Sequence, residues 1–344
     1  MRKFYLLLLF TALFSSCQLE DDNLILDPEF TLDGTSALTS SLKNLTQNST
    51  TFDNFIDGTS KVRIDLPFDV RVNDSIAFRL ENTIDYQNLI DILEATPIKD
   101  EIELVFPLSV SGIDHVEFEV DSSNSFDELL DDLPESSEVN CLNLNYPISV
   151  RYYSSVTTQI SNQSITSDAQ LFNFLNNLIS EGIFYEIQYP IVATTAEQTE
   201  TVINSNDEFS ALYSNLPNFC VNTVIYDNVE SQINPDDPDE FRDYISSGVF
   251  SISDFTIDGN PITDFDSSEF TFDINGAIYN NGSLAGHWET SLVDSAILFA
   301  LQFSDDSYNA IENEWYIMTL QEEAFDISFV NATGSISRST LLKN

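Results

Sequence analysis

Few side chains in this sequence are suited to covalent or metal chemistry: three cysteines and two histidines. His115 stands between Asp114 and Val116, and His287 between Gly286 and Trp288. Neither has a second His or a Cys at ligand spacing, so a zinc site is not expected. No phosphate loop, dinucleotide fingerprint, Gly-x-Ser-x-Gly elbow or His-Glu-x-x-His pair occurs, and no cofactor is implied. Carboxylates are abundant, with 57 Asp and Glu. A hydrolase needs only two of them several ångströms apart, so a carboxylate-dependent hydrolase stays open as an alternative, although no pair stands out. The cluster Asp236-Asp237-Pro-Asp239-Glu240 offers oxygen ligands for calcium but lacks the spacing of an EF-hand loop. It reads as a solvated linker. The expectation is a protein without catalytic residues and without a bound metal.

The third cysteine has a different setting. Arg2 and Lys3 precede the apolar run Leu6-Leu-Leu-Leu-Phe-Thr-Ala-Leu-Phe14, and Ser15-Ser16-Cys17 closes it. The run is too short to span a bilayer and has the order of an export signal. Small residues closing on cysteine resemble the lipobox of bacterial lipoproteins, with cleavage before Cys17 and lipid on its sulfur; an ordinary signal peptide is the alternative. Each buried methylene contributes about 0.8 kcal/mol, so two or more acyl chains make a durable tether. Gln18, Glu20 and Asp21 then resemble the surface-export signal of Bacteroidota lipoproteins. That resemblance implies an outer-membrane anchor with the folded part facing the medium.

Against the 57 acidic residues stand 12 basic ones, a net charge of −45. Such a charge favours a soluble monomer and argues against nucleic acid or an anionic lipid face, which need Lys and Arg. At 42% hydrophobic with 26 Phe and 13 Tyr, the chain has ample material for a core. In an oxidising compartment the remaining pair, Cys141 and Cys220, reads as a disulfide. Two separately buried thiols are the alternative.

The middle of the chain repeats. Ile64-Asp-Leu-Pro67-Phe-Asp-Val70, Leu104-Val-Phe-Pro107-Leu-Ser-Val110, Leu144-Asn-Tyr-Pro147-Ile-Ser-Val150 and Ile187-Gln-Tyr-Pro190-Ile-Val-Ala193 share one pattern, with prolines 40, 40 and 43 residues apart. Each segment reads as a β-strand with Pro at an edge or bulge. A second strand follows, at residues 76–80, 116–120, 157–165 and 201–203. Helix starts come next at Thr83, Ser125, Ser167 and Ser205, the last three as capping boxes. A ββα unit of about 40 residues is too small to stand alone. Pairing gives two double modules, 60–134 and 139–222, each expected as a four-stranded antiparallel sheet covered by two helices. The acidic, Ser/Thr-rich residues 18–59 read as a stalk. At Cys141-Leu-Asn-Leu-Asn-Tyr-Pro147 and Val202-Ile-Asn-Ser-Asn-Asp-Glu208 the chain resembles a repeat of Bacteroidota surface lipoproteins whose strand begins, and whose helix ends, in cysteine.

After a linker at 223–243, short strands are expected at 248–256, 268–274, 277–281, 285–290, 296–303, 312–319, 324–330 and 337–343. Ile297, Phe299, Leu301 and Phe303 share one face of theirs. Asp258-Gly259 and Asn275-Gly276 are hairpin turns. Eight such strands suit an up-and-down barrel, residues 244–344. Asp258-Gly259, Thr263-Asp-Phe265, Phe270-Thr-Phe272, Gly286-His-Trp288, Trp315-Tyr-Ile317 and Thr340-Leu-Leu-Lys343 resemble lipocalin-like domains, which implies a small-ligand carrier with Trp288 and Trp315 lining its cavity. A barrel filled by side chains is the alternative. Asp74-Ser-Ile76 and Asp294-Ser-Ala296 resemble a short O-glycosylation sequon of the same bacteria. The fold expected is thus α+β repeats followed by a lipocalin-like eight-stranded barrel. The function expected is non-catalytic display or binding of a glycan or small ligand at the cell surface.

Overall fold

A computed structural model describes residues 26–27, 31–217, 220 and 237–344. The leader with Cys17 and the linker residues 223–236 lie outside the described residues. The chain divides into two compact units. One takes the described residues up to Ser49, Ile113–His115 and Ser136 through Cys220; the other takes Thr50–Gly112, Val116–Glu135 and the barrel. Among the described residues, no helix is long and apolar enough to cross a membrane.

Both repeat pairs solve the same problem in the same way. In the first pair the strands are β1 (Val62–Ile64), β2 (Phe68–Val72), β3 (Ile76–Leu80), β4 (Ile102–Val105), β5 (Leu108–Gly112) and β6 (Glu117–Val120). Each Pro-containing segment is two strands, separated at an exposed proline whose preceding peptide bond is cis. Proline has no N–H to give to a ladder, and the two halves join different sheets. β2 pairs with its own β3 and with β4 of the neighbouring repeat, while β5 pairs with β6 and with β1. The expected four-stranded sheet is therefore two three-stranded antiparallel sheets built by reciprocal exchange. The alternation of buried residues along β2 (Phe68, Val70, Val72) puts one face into a core with Val62, Ile64, Leu80 and Val110.

The second pair repeats this with β7 (Leu142–Asn145), β8 (Ile148–Ser154), β9 (Gln159–Ile165), β10 (Ile183–Ile187), β11 (Ile191–Thr195) and β12 (Glu200–Ile203), in sheets β10-β8-β9 and β12-β11-β7. Its core also takes in part of the segment read as a stalk. Helix α1 (Ala37–Leu45) buries Leu38, Leu42 and Leu45, at i, i+4 and i+7, and Leu32 forms a bridge with Tyr185. A second short helix, α2 (Asn54–Asp57), buries Ile56 in the core of the first pair. The stalk reading thus fails over residues 32–59: a Ser/Thr-rich composition hid an apolar stripe. Cys141 and Cys220 are bonded across 79 residues, with Cα atoms 5.1 Å apart.

One helix follows each hairpin: α3 (Asp85–Leu93), α4 (Ser123–Asp132), α5 (Asp168–Asn177) and α6 (Asn206–Ser214). Ser167 and Ser205 accept from the amides of Gln170 and Glu208, as their capping-box sequences imply. The α4 cap is Ser122, three residues before the expected Ser125, which instead supplies the reciprocal bond. At the start of α3, Asp85 accepts from the amides of Glu81 and Asn82.

The C-terminal domain is a closed eight-stranded antiparallel barrel. Its strands are β13 (Val249–Ile257), β15 (Glu269–Phe272), β16 (Ala277–Asn280), β17 (Ser283–Val293), β18 (Ala296–Phe303), β19 (Glu314–Leu320), β20 (Ala324–Val330) and β21 (Ile336–Lys343). A two-residue strand, β14 (Asn260–Pro261), adds to β13. Pairing of β13 with β21 closes the sheet. The last part of the expected linker is a helix, α7 (Pro238–Ile245), begun by Pro at its first turn and by Asp237, which accepts from the amides of Asp239 and Glu240. This is what the acidic cluster does within the described residues: it caps a helix. Phe241 and Ile245 of α7 are fully buried, and the Phe241 ring lies 5.6 Å from Phe299 and 5.3 Å from Phe325. The helix plugs the barrel with an aromatic side chain. Phe241→Ala is expected to cost about 3–5 kcal/mol, read as a lower urea midpoint. Replacing both Cys141 and Cys220 by Ala should cost about 2–5 kcal/mol by the same measurement.

Candidate functional site

Among the described residues, places that could receive a ligand include the barrel interior and one groove on each unit. Inside the barrel, Ile297, Phe299 and Leu301 point inward together with Phe250, Phe270, Phe272 and Phe325. Edge-to-face contacts at 5.5–6.0 Å link Phe272, Trp288, Phe299 and Phe325 through shared neighbours. Trp288 and Trp315 are buried, and each indole N–H is already used: Trp288 Nε1 donates to the Asp273 carbonyl at 3.1 Å and Trp315 Nε1 to that of Ile311 at 2.9 Å. The Arg242 guanidinium lies 5.2 Å from the Trp288 ring centroid. The void left beside Trp315 is about 10 Å³, at the lower limit for one water molecule. With α7 in place, that void is too small for an apolar ligand.

The unit that contains the barrel carries a groove of about 660 Å³ along α3 and the turns at Asp258 and Gly334. Most of its polar groups are committed to holding local structure. Asp258 accepts from Ser335 Oγ and from the Ile336 amide, both at 2.8 Å. Asp91 accepts from Gln87, Asn88 donates to Asp85, and Thr333 donates to Asn331. Arg338 remains as an exposed cation with no ion pair among the described residues.

The groove on the other unit, about 330 Å³, is of a different kind. Helix α5 supplies Gln170, Asn173 and Asn177, at i, i+3 and i+7, so three primary amides share one stripe. Leu171 and Leu175, on the other side of that helix, are buried in the core, and Phe174 between the two faces is buried and joins the lining. Register places Val150 opposite Gln163 and Tyr152 opposite Ser161, so Tyr152 and Gln163 stand on the sheet face that α5 covers. The Tyr152 ring is half-buried and lies edge-on to Phe174 at 5.7 Å. Gln170 is held by the Thr166 amide and hydroxyl, at 2.9 and 3.0 Å. The side chains of Gln163, Asn173 and Asn177 are exposed, and no hydrogen bond to them occurs among the described residues. Glu181 is the one charged residue of the lining. The sequence reading followed the apolar stripe of α5 and passed over the amides, although their spacing was there to be seen.

His115, at a positive φ of 63°, hydrogen-bonds the Thr46 carbonyl through Nε2 at 2.8 Å and meets the Phe172 ring edge-on. His287 is exposed on β17. Asp74 and Asp294 of the two sequon-like sites lie exposed in tight turns at φ 58° and 49°. Among carboxylates, burial first and the neighbouring Asp53 second push Asp57 up to about 9. Burial likewise moves Asp100 up to about 6 against hydrogen bonds from Asn73 and Thr96. None of these three lines the barrel void or either groove. Among the described residues, no group of three or more His, Cys, Asp or Glu is arranged for a metal.

Comparison of the chain with family models, with curated proteins and with solved structures finds no match. The filled barrel gives a direct test. Titration with a medium-chain fatty acid should leave the tryptophan emission of the wild-type protein unchanged. A saturable change at one site would show that α7 yields to a ligand.

Proposed function

We propose that this chain is a lipid-anchored, surface-displayed binding protein without catalytic activity, and that its ligand is a glycan held in the amide-lined groove. The observation that carries the binding part is the α5 stripe. A primary amide presents two donors and a carbonyl acceptor, which complements neighbouring hydroxyls of a neutral sugar. Asn173, Asn177 and Gln163 have that capacity unspent, beside an aromatic ring whose face suits the apolar side of a pyranose. A groove almost free of charge, on a chain of net charge −45, favours a neutral polyhydroxylated ligand over an ion. The placement at an outer membrane is supported by the leader, the Ser-Ser-Cys17 sequence and the acidic residues after it. The lipocalin-like character proposed for the barrel rests on its strand order and on its resemblance in sequence, and its part is to support rather than to carry.

Two experiments check the proposal. Calorimetry with neutral hexasaccharides of glucose, mannose and xylose should reveal binding by the wild type. Asn173→Ala with Asn177→Ala should weaken it by at least about 10-fold, since loss of two hydrogen bonds of about 1 kcal/mol each is a large factor. Alanine is the better helix former, so the melting temperature should hold or rise. Loss of binding in Arg338→Ala instead would move the site to the other groove. For the anchor, mass spectrometry of the mature amino terminus should find acylated Cys17, and protease treatment of intact cells should remove the protein. An unmodified terminus or full protection overturns the placement.

A further inference from the structure

Sheets built by exchange still have outer edges, and the strands at those edges differ in how they are protected. An exposed edge is a row of unpaired N–H and C=O groups that another strand can join; short length, charge or proline prevents it. Strands β1, β3, β4, β6 and β12 lie at edges, and each carries a charged residue: Arg63, Arg79, Glu103, Glu117 and Glu200. β7 is uncharged but has only four residues. β10 carries Glu186, and its Tyr185 is bridged by Leu32. β9 has none of these protections. Its seven residues, Gln159-Ile-Ser-Asn-Gln-Ser-Ile165, include no charge and no proline. No charged residue occurs anywhere between Arg151 and Asp168, in a chain that is 20% charged. β9 pairs with β8 along its whole length, and among the described residues no backbone hydrogen bond reaches its other edge. Gln159, Asn162, Gln163 and Ser164 are exposed, and alternate residues of such a strand turn their backbone groups outward.

We propose that β9 is a self-association edge, at which two copies of this chain join antiparallel, β9 against β9, about a two-fold axis. Three strands from each copy then form one continuous sheet, β10-β8-β9-β9-β8-β10. A row of outward backbone groups is complemented by another backbone, so the occupant is an extended polypeptide. Charge decides which one. A basic segment would be met by carboxylates, of which the chain has 57 and β9 none. A neutral, polar strand of equal length is what fits, and β9 of a second copy is such a strand. Its Gln, Asn and Ser side chains each donate and accept, so a strand facing its own copy finds partners. Repulsion between two chains of net charge −45 sets the condition. Pairing needs salt, which shortens the reach of that charge from about 20 Å at about 0.02 M to about 4 Å at about 0.5 M. No sugar takes part, so the pairing stands or falls apart from the glycan proposal.

The full mature chain with Cys17→Ser, which carries no lipid, supplies the test. One strand pair is a small interface, so a weak dimer is expected, with Kd on the order of 100 µM. Sedimentation equilibrium in about 0.5 M NaCl should show the mass doubling as concentration passes through that range, and in about 0.02 M NaCl the monomer should persist. Amide exchange at residues 159–165 should slow as the dimer forms. Asn162→Lys with Ser164→Lys places charge on the edge while lowering the net charge of the chain. This variant should melt like the wild-type monomer and fail to dimerise. Asn143→Lys, on the exposed face of β7, should dimerise like the wild type. A monomer at every concentration and salt overturns the proposal and leaves the edge to a segment of a different protein. A dimer whose β9 amides exchange as in the monomer places the contact elsewhere and overturns it. Undiminished association of the double lysine variant overturns it in favour of general screening of the negative surface.

Discussion

A ring that takes away one amide hydrogen sets the plan of the repeats. At Pro67, Pro107, Pro147 and Pro190 the backbone cannot continue a hydrogen-bonded ladder, so every β segment ends and restarts there. The half before each proline is left with three to five residues, too short to pair usefully within its own hairpin. Each finds the free edge of the neighbouring repeat instead, as β1 does on β5 and β4 does on β2. The exchange is reciprocal, and neither repeat of a pair can complete its sheet without the other. Cooperativity within each pair follows from this geometry, and the apolar faces of four helices are buried because the exchanged sheets give them something to cover.

The barrel meets its own requirement differently. Eight strands enclose a volume that must be either filled or wetted. Here Phe side chains and two Trp residues converge from the strands, and α7 adds Phe241 from one end. The indole N–H groups satisfy themselves on backbone carbonyls rather than facing a cavity. Among the described residues, aromatic side chains take up most of the interior.

Much of this could be read from the chain before any coordinates. Proline spacing announced the repeats, and alternation at Ile297, Phe299 and Leu301 announced the barrel, because both are local patterns with a fixed period. What escaped was decided between distant residues. Sheet exchange depends on which edge is free, and nothing local to Ile64 names Val110 as its partner. Helices α1 and α7 had legible stripes in Leu38, Leu42 and Leu45 and in Phe241 and Ile245, but polar composition around them outweighed the signal. Two serines three apart satisfied the same cap pattern, and the sequence alone favoured Ser125 over the observed Ser122. The amide stripe of α5 was visible as spacing yet meaningless until Tyr152 and Gln163 lay beside it.

The interleaving of the two units has a consequence for dissecting the molecule. Segments of one unit alternate along the chain with segments of the other, since residues up to Ser49 and from Ser136 belong together while Thr50–Gly112 does not. A fragment cloned from residue 139 onward would lack Leu38, Leu42 and Leu45 and would expose the hollow they fill. Cutting this protein at the borders of its repeats therefore leaves unsealed pieces; deleting a loop within a unit is the gentler surgery.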